Sequence, residues 1–295
     1  VQTCALPICL PAFQSNQLIQ ITGDLAFSEI ENFNILGGLV LVGITGLVVI
    51  GGLKRIAEVA TFLVPLMGSI YFGAMIVALM LNLNLVLPAF KLIFVDAFNG
   101  TAIAGGTFFG VLIYGVRRGA FSNEAGMGTE SLVHGVAKVS NPVKQGLVAM
   151  TGPIFDTLII CTATALMILV SGVWETSSSQ GVTLTAEAFS ILLGNFGGLI
   201  LFVCVICFGL STIFTYSYYG ASCSRFLFGK FGMKFYIYLY ILSIFIYSIV
   251  PIDIAINIAD GAFAMMAIPT LISALWLAPK VMQASKNYFK LIDNN

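Results

Sequence analysis

The chain has 295 residues, of which 59% are hydrophobic and 9% charged, with a formal net charge of zero. A soluble domain carries roughly 25% charged residues, so this composition, with a mean hydropathy of +1.01, excludes a water-soluble globule and points to an all-α, multi-span membrane protein. The absence of a basic tract excludes a nucleic-acid partner, and a single histidine speaks against a metal-dependent enzyme.

Residues 1–12 read as a stretch foreign to the rest or disordered. They do not begin with Met and have neither the basic start nor the long apolar run of a signal peptide. Residues 13–295 read as one membrane domain. Leu36 to Gly52 is an apolar, glycine-rich run, closed by Lys54 and Arg55. At ~1.5 Å per residue it is just long enough to span. Val59 to Leu83 is the next span, and Pro65 kinks it. Asn84 to Gly100 holds Pro88, Lys91 and Asp96 among aromatics, and reads as a short helix lying at the interface. Gly105 to Val139 as one helix would exceed a ~30 Å hydrocarbon core by far, so it must break. Asn141-Pro142 opens a helix from Val143 to Ser171, followed by spans at Gly194 to Phe226, Phe235 to Val250 and Ile254 to Ala278. Pro279-Lys280 ends the last of these before a polar tail. The sum is about seven membrane segments, one of them discontinuous.

Charge alternates between successive loops. Lys54, Arg55, Lys138, Lys144, Arg225, Lys230, Lys234, Lys280, Lys286 and Lys290 fall in alternate loops or the tail. The opposite loops hold Asp24, Glu29, Glu31, Asp96, Glu175, Glu187 and Asp253, with Lys91 as their only base. The positive-inside rule makes the first set, and with it the C-terminus, cytoplasmic.

The break falls in Tyr114 to His134, where two arginines, an Asn, two Glu, four glycines and the only histidine lie within 21 residues. Gly119, Gly126 and Gly128 interrupt apolar, helical flanks. Unpaired backbone at membrane depth survives only inside protein or beside a wet cavity, and a glycine-broken helix is the best sequence pointer to a transporter's binding site. The other reading is a polar loop outside the membrane. Arg118 is expected to face a cavity or to pair with an acid such as Glu124, as a gate or as a structural ion pair. Asp156 and Asp260 are lone acids in apolar helices, each requiring a partner inside the bundle. Ser211, Thr212, Thr215 and Ser217 form a hydroxyl-rich cluster with Tyr216, Tyr218 and Tyr219. Such hydroxyls either ligate a hard cation or bond the preceding turn. Cys204 and Cys207 have redox-motif spacing inside an apolar run and read as small core residues.

Several long motifs resemble one family. Arg117 to Gly128 (RRGAFSNEAGMG), Asn141 to Met150 (NPVKQGLVAM) and Phe155 to Leu166 (FDTLIICTATAL) are similar, in order, to the sodium:alanine or glycine symporters of bacteria and archaea. So are Ser211 to Gly220 (STIFTYSYYG) and Ile258 to Pro269 (IADGAFAMMAIP). The resemblance covers roughly Phe13 to Lys290. It implies a LeuT-type inverted-repeat fold in which the broken segment is the sixth core helix. It also implies that Phe121, Ser122 and Asn123 line the amino-acid site, that Gln14 faces the substrate from the end of the third helix, and that Ser211 and Thr212 supply hydroxyls to a sodium site. No other metal and no cofactor is implied. The family's first helix, with its own glycine break, and its second have no counterpart here. The resemblance therefore describes an incomplete transporter.

The function these readings imply is sodium-driven symport of alanine, glycine or a similar small neutral amino acid across a prokaryotic plasma membrane. A proton-coupled or uniport permease of the same fold is the alternative. A membrane-embedded enzyme needs a paired-acid, His-metal or nucleophile-base set, and the sequence offers none.

Overall fold

The computed structural model describes residues 6–27, 29–98 and 107–293, and every regular element among them is helical. α1 (Pro11–Ala26) follows a single 3-10 turn at Leu6–Ile8, and its proline sits where an unpaired N–H would otherwise be. α2 (Phe33–Val49), α3 (Gly52–Leu81) and α4 (Leu83–Ala97) come next, then α5 (Thr107–Asn123) and the short α6 (Thr129–His134). α7 (Pro142–Pro153) runs through a π-helical segment, Ile154–Cys161, into α8 (Thr162–Ser171). Asn141 caps α7 by accepting the Val143 N–H at 2.9 Å. α9 (Val173–Thr176) and α10 (Val182–Leu193) lead to the two long helices, α11 (Asn195–Ile249) and α12 (Ile252–Asp293).

α11 is the trunk of the fold and packs along α1, α2, α3 and α10. Its 55 residues do not form one straight rod, because Gly229 is non-helical at φ 66° and ψ −158° and divides it into arms 195–228 and 230–249. The main core gathers Leu18 and Ile19 of α1, Leu41 of α2, and Phe263 and Met266 of α12 around Ile213, Phe214, Tyr240 and Ile244 of the two arms. The fully buried Tyr240 donates to the Ile213 carbonyl at 2.5 Å and joins one arm to the other. A second cluster joins Tyr71 and Met75 of α3, Met167 of α8, Phe189 of α10, and Leu201 and Cys204 of α11. Among lipid tails, close packing rather than escape from water holds helices together, and small residues permit it. A Cβ on Gly209 would lie 2.6 Å from the Leu18 side chain, so α1 and α11 touch backbone to side chain there.

The outer faces are apolar, with Leu47, Leu87 and Trp276 each at least 70% exposed. Among the described residues, four helices are long and apolar enough to cross a membrane: Arg55–Leu81, Pro142–Ser171, Phe196–Ile249 and Ile252–Ile292. The protein is a multi-pass, all-helical membrane protein.

The structure corrects several boundaries. Gly119 lies within α5, so the break begins later, after Asn123. Residues 182–193, unassigned by pattern, form α10. Residues 227–234 join the arms of α11 by a tight bend rather than a loop. α12 passes Pro269 and Pro279 and continues to Asp293, so the polar tail is helical there. The helix at Leu83–Ala97 follows α3 after one non-helical residue, Asn82, and Gly100 to Gly106 fall outside the described residues. Cys204 is buried in the second core cluster and both Cys204 and Cys207 are free thiols, in keeping with a packing role.

Candidate functional site

α5 ends because its backbone turns left-handed. Glu124 has φ 55°, Gly126 φ 81° and Gly128 φ 90°. Glycine takes such values freely, whereas for Glu124 they cost about 1–2 kcal/mol and must be offset by neighbours. Asn123 supports the turn by accepting the Ala125 N–H on its side-chain oxygen at 2.9 Å. At Gly128 a Cβ would lie 2.6 Å from the Thr270 hydroxyl, so α12 approaches the break closely.

Each side chain around the break reaches a different helix. The Phe121 ring meets Phe13 of α1 edge-on at 5.4 Å and Phe263 of α12 at 5.0 Å. Arg118 donates to Asp260 of α12 at 2.6 Å, with the two side chains 31% and 23% exposed. Its guanidinium also lies over the Tyr114 ring at 5.3 Å and the Phe121 ring at 5.5 Å. Arg118 and Phe121 are three residues apart on α5, as are Asp260 and Phe263 on α12. Each helix thus presents a charge and, one turn on, a ring on the same face. The partner of Arg118 is therefore Asp260 rather than Glu124.

Glu124 is tied elsewhere, accepting a short hydrogen bond from the Tyr216 hydroxyl of α11. Ser122 donates to Asp156 at 2.6 Å, and Asn123 donates to Thr157 at 3.0 Å, which in turn donates to Asp156 at 3.1 Å. Asp156 and Thr157 stand on the π-helical segment, a backbone form that recurs at functional sites. Both lone acids of the sequence thus have partners. His134 bonds through Nδ1 to the Gln145 amide at 2.7 Å, a hydrogen-bonding role.

Gln14 follows Phe13 on α1, and its side-chain oxygen is buried with no hydrogen-bond partner. An unpaired buried acceptor is costly and asks for a donor. Ser211 is 4% exposed and donates to the Phe208 carbonyl at 3.0 Å, while Thr215 donates to the Ser211 carbonyl at 2.8 Å. These hydroxyls therefore bond the preceding turn. Thr212, half-buried, is the next residue. Among the described residues no hydrogen bond joins Ser211 or Thr212 to the broken segment, which α11 reaches through Tyr216, one turn further on.

The structure thus brings Arg118, Phe121, Ser122, Asn123 and Glu124 into one region where α1, α5, α11, α12 and the π segment converge, while among the described residues no hydrogen bond joins Gln14 to them. Sequence reasoning missed Phe13, Phe263 and Thr157, and left Tyr216 without a role. The matched charge-to-Phe spacing on α5 and α12 was the one signal that pointed to any of them, and it pointed to Phe263. The assembled groups are hydroxyl, amide and carboxyl side chains, a cluster of aromatic rings and one compensated ion pair.

Comparison with known proteins extends this. The model of the sodium:alanine symporter family matches residues 1–295. The sodium/alanine symporter AgcS of Methanococcus maripaludis is 35% identical over 289 residues, covering 96% of this chain and 63% of the relative. The probable sodium/glutamine symporter GlnT of Bacillus subtilis is 33% identical, over 97% of this chain and 59% of its own length. The putative sodium/proton-dependent alanine carrier protein YrbD of Bacillus subtilis is 30% identical, over 96% and 61%. The chain spans about three fifths of the length of these curated relatives.

Proposed function

This chain belongs to the sodium:alanine symporter family, and we propose that it works in a symporter that uses sodium entry to drive uptake of a small neutral amino acid such as alanine or glycine. The observation that carries this reading is the helix broken at Glu124 to Gly128 beside the Phe13–Phe121–Phe263 cluster. Such breaks expose backbone groups that bind the charged ends of an amino acid. The edge-on rings around Phe121 form an apolar wall against which a small side chain can pack. Gln14 offers its unpaired oxygen to the substrate ammonium, and Ser122 and Asn123 complete the wall. On this reading the fold is of the LeuT type, with about seven membrane segments in this chain. The C-terminus is cytoplasmic and the membrane is the prokaryotic plasma membrane.

Ser211 and Thr212 are the proposed sodium ligands, with the remaining oxygens supplied from a facing helix. Sodium bound there favours the substrate-competent arrangement, and rocking of one helix bundle then opens the site inward. Arg118 and Asp260 act as the outer gate. With basic loops inside, α5 runs inward and α12 does too, so both charges lie one turn outward of Phe121 and Phe263. Proton coupling or uniport is the second reading, and its proton-coupled form draws on the putative sodium/proton-dependent alanine carrier among the relatives.

The test is uptake of labelled alanine by the complete protein in proteoliposomes. Uptake is expected only with an inward sodium gradient, and Ser211→Ala with Thr212→Ala is expected to weaken sodium dependence. Uptake unchanged without sodium would sink the symport reading in favour of the second.

A further inference from the structure

A polar pocket lies apart from the broken segment, at the bend of α11. It holds about 510 Å³ between the end of α2, the start of α3 and both arms of α11. Arg225 and Lys234 line it from either side of Gly229 in the chain, with Ser217, Tyr218 and Ser222 contributing hydroxyls, and among the described residues no carboxylate lines it. The remaining wall is apolar, with Val49, Ile50, Ile56 and Ile237. Two cations sharing a pocket without an acid repel each other unless an anion lies between them.

The surroundings fix the depth of this pocket. Phe226, Phe228 and Phe231 around the bend are 87%, 69% and 83% exposed, beside the exposed cations Arg225, Lys230 and Lys234. Large bare rings interleaved with bases suit the boundary between acyl chains and headgroups, where each finds its own medium. At that depth the molecule that joins an anion to apolar chains is a membrane lipid.

We propose that this pocket binds an anionic phospholipid, its phosphate between Arg225 and Lys234 and its glycerol end against Val49, Ile50, Ile56 and Ile237. Arginine suits phosphate because its planar donors engage two oxygens at once, and the hydroxyls of Ser217, Tyr218 and Ser222 can donate to the rest. A choline headgroup would bring a third cation to the pocket and is disfavoured. In the orientation proposed above the pocket opens to the cytoplasmic leaflet, where anionic lipids attract basic segments.

The test is native mass spectrometry of the complete purified protein offered phosphatidylglycerol or phosphatidylcholine. No transport is read, so failure here is separate from failure of the symport reading. Phosphatidylglycerol should be retained preferentially. Arg225→Gln with Lys234→Gln should reduce its retention by about an order of magnitude or more. Arg225→Lys with Lys234→Arg should keep most of it, and Lys230→Gln, at an exposed cation outside the pocket, should leave it unchanged. Equal retention of both lipids, no loss in the double Gln variant, or an equal loss with Lys230→Gln would overturn the proposal. So would displacement of the lipid by millimolar inorganic phosphate, which would mark a soluble-anion site. If the double Gln variant does not fold, salt decides on the native protein: retention of phosphatidylglycerol must weaken as ionic strength rises, and salt-insensitive retention overturns the proposal.

Discussion

The helix interruptions at Glu124 to Gly128 and at Gly229 are opposites. At Glu124 to Gly128 nearly every nearby side chain is tied to a neighbouring helix: Arg118 to Asp260, Ser122 to Asp156, Asn123 to Thr157 and Glu124 to Tyr216. At Gly229 a Cβ would meet nothing within 4 Å, and exposed phenylalanines flank the bend. Both breaks rest on left-handed backbone. The difference lies in what holds them. A break knitted into surrounding helices has one geometry, whereas one that touches little turns the chain and leaves the side chains around it free to meet lipid.

The largest expected effect is at Phe121. Phe121→Trp adds volume to a ring already packed on two sides, and overpacking costs about 1–3 kcal/mol even before substrate is considered. Alanine uptake by the complete protein should be abolished while a Trp at Phe228 leaves it intact. Retained uptake would remove Phe121 from the site.

Next is the ion pair. Asp260→Asn leaves the Arg118 guanidinium half-buried without its counter-charge, and uptake should fall at least about tenfold. Exchanging the charges, Arg118→Asp with Asp260→Arg, should recover part of it. No recovery would mean that the two residues act separately.

Tyr216→Phe removes one hydrogen bond to a carboxylate, a loss of about 1–3 kcal/mol. It is expected to raise the KM for alanine and lower the melting temperature of the purified protein. An unchanged KM would show that the tie of the break to α11 is structural alone.

The glycines themselves test the comparison directly, through stability rather than uptake. Gly128→Ala meets both its backbone strain and the Thr270 hydroxyl 2.6 Å away, so it should destabilise by more than the ~1–2 kcal/mol of strain alone. Gly229→Ala carries the strain without the clash and should lower the melting temperature less. Equal shifts would mean that the two breaks are held alike.

The sequence by itself determined the membrane class, the segment in which the helix breaks and the family. These follow from local quantities: hydropathy over a helix length, glycines among polar residues, and motifs read along one strand of text. It also marked Asp156 and Asp260 as acids in need of partners, because a charge in an apolar helix is costly wherever it points. Only the tertiary structure decided which partners those are. Asp260 lies 142 residues from Arg118, and Glu124, six residues away, was the nearer acid in sequence but turns to Tyr216 instead. Sequence distance says nothing about the direction of a side chain once a helix has broken, since left-handed residues re-aim everything after them. The same reason explains the helix through Pro279 and the bend at Gly229. Proline and glycine permit a stop without requiring one, and packing chose whether the helix ended.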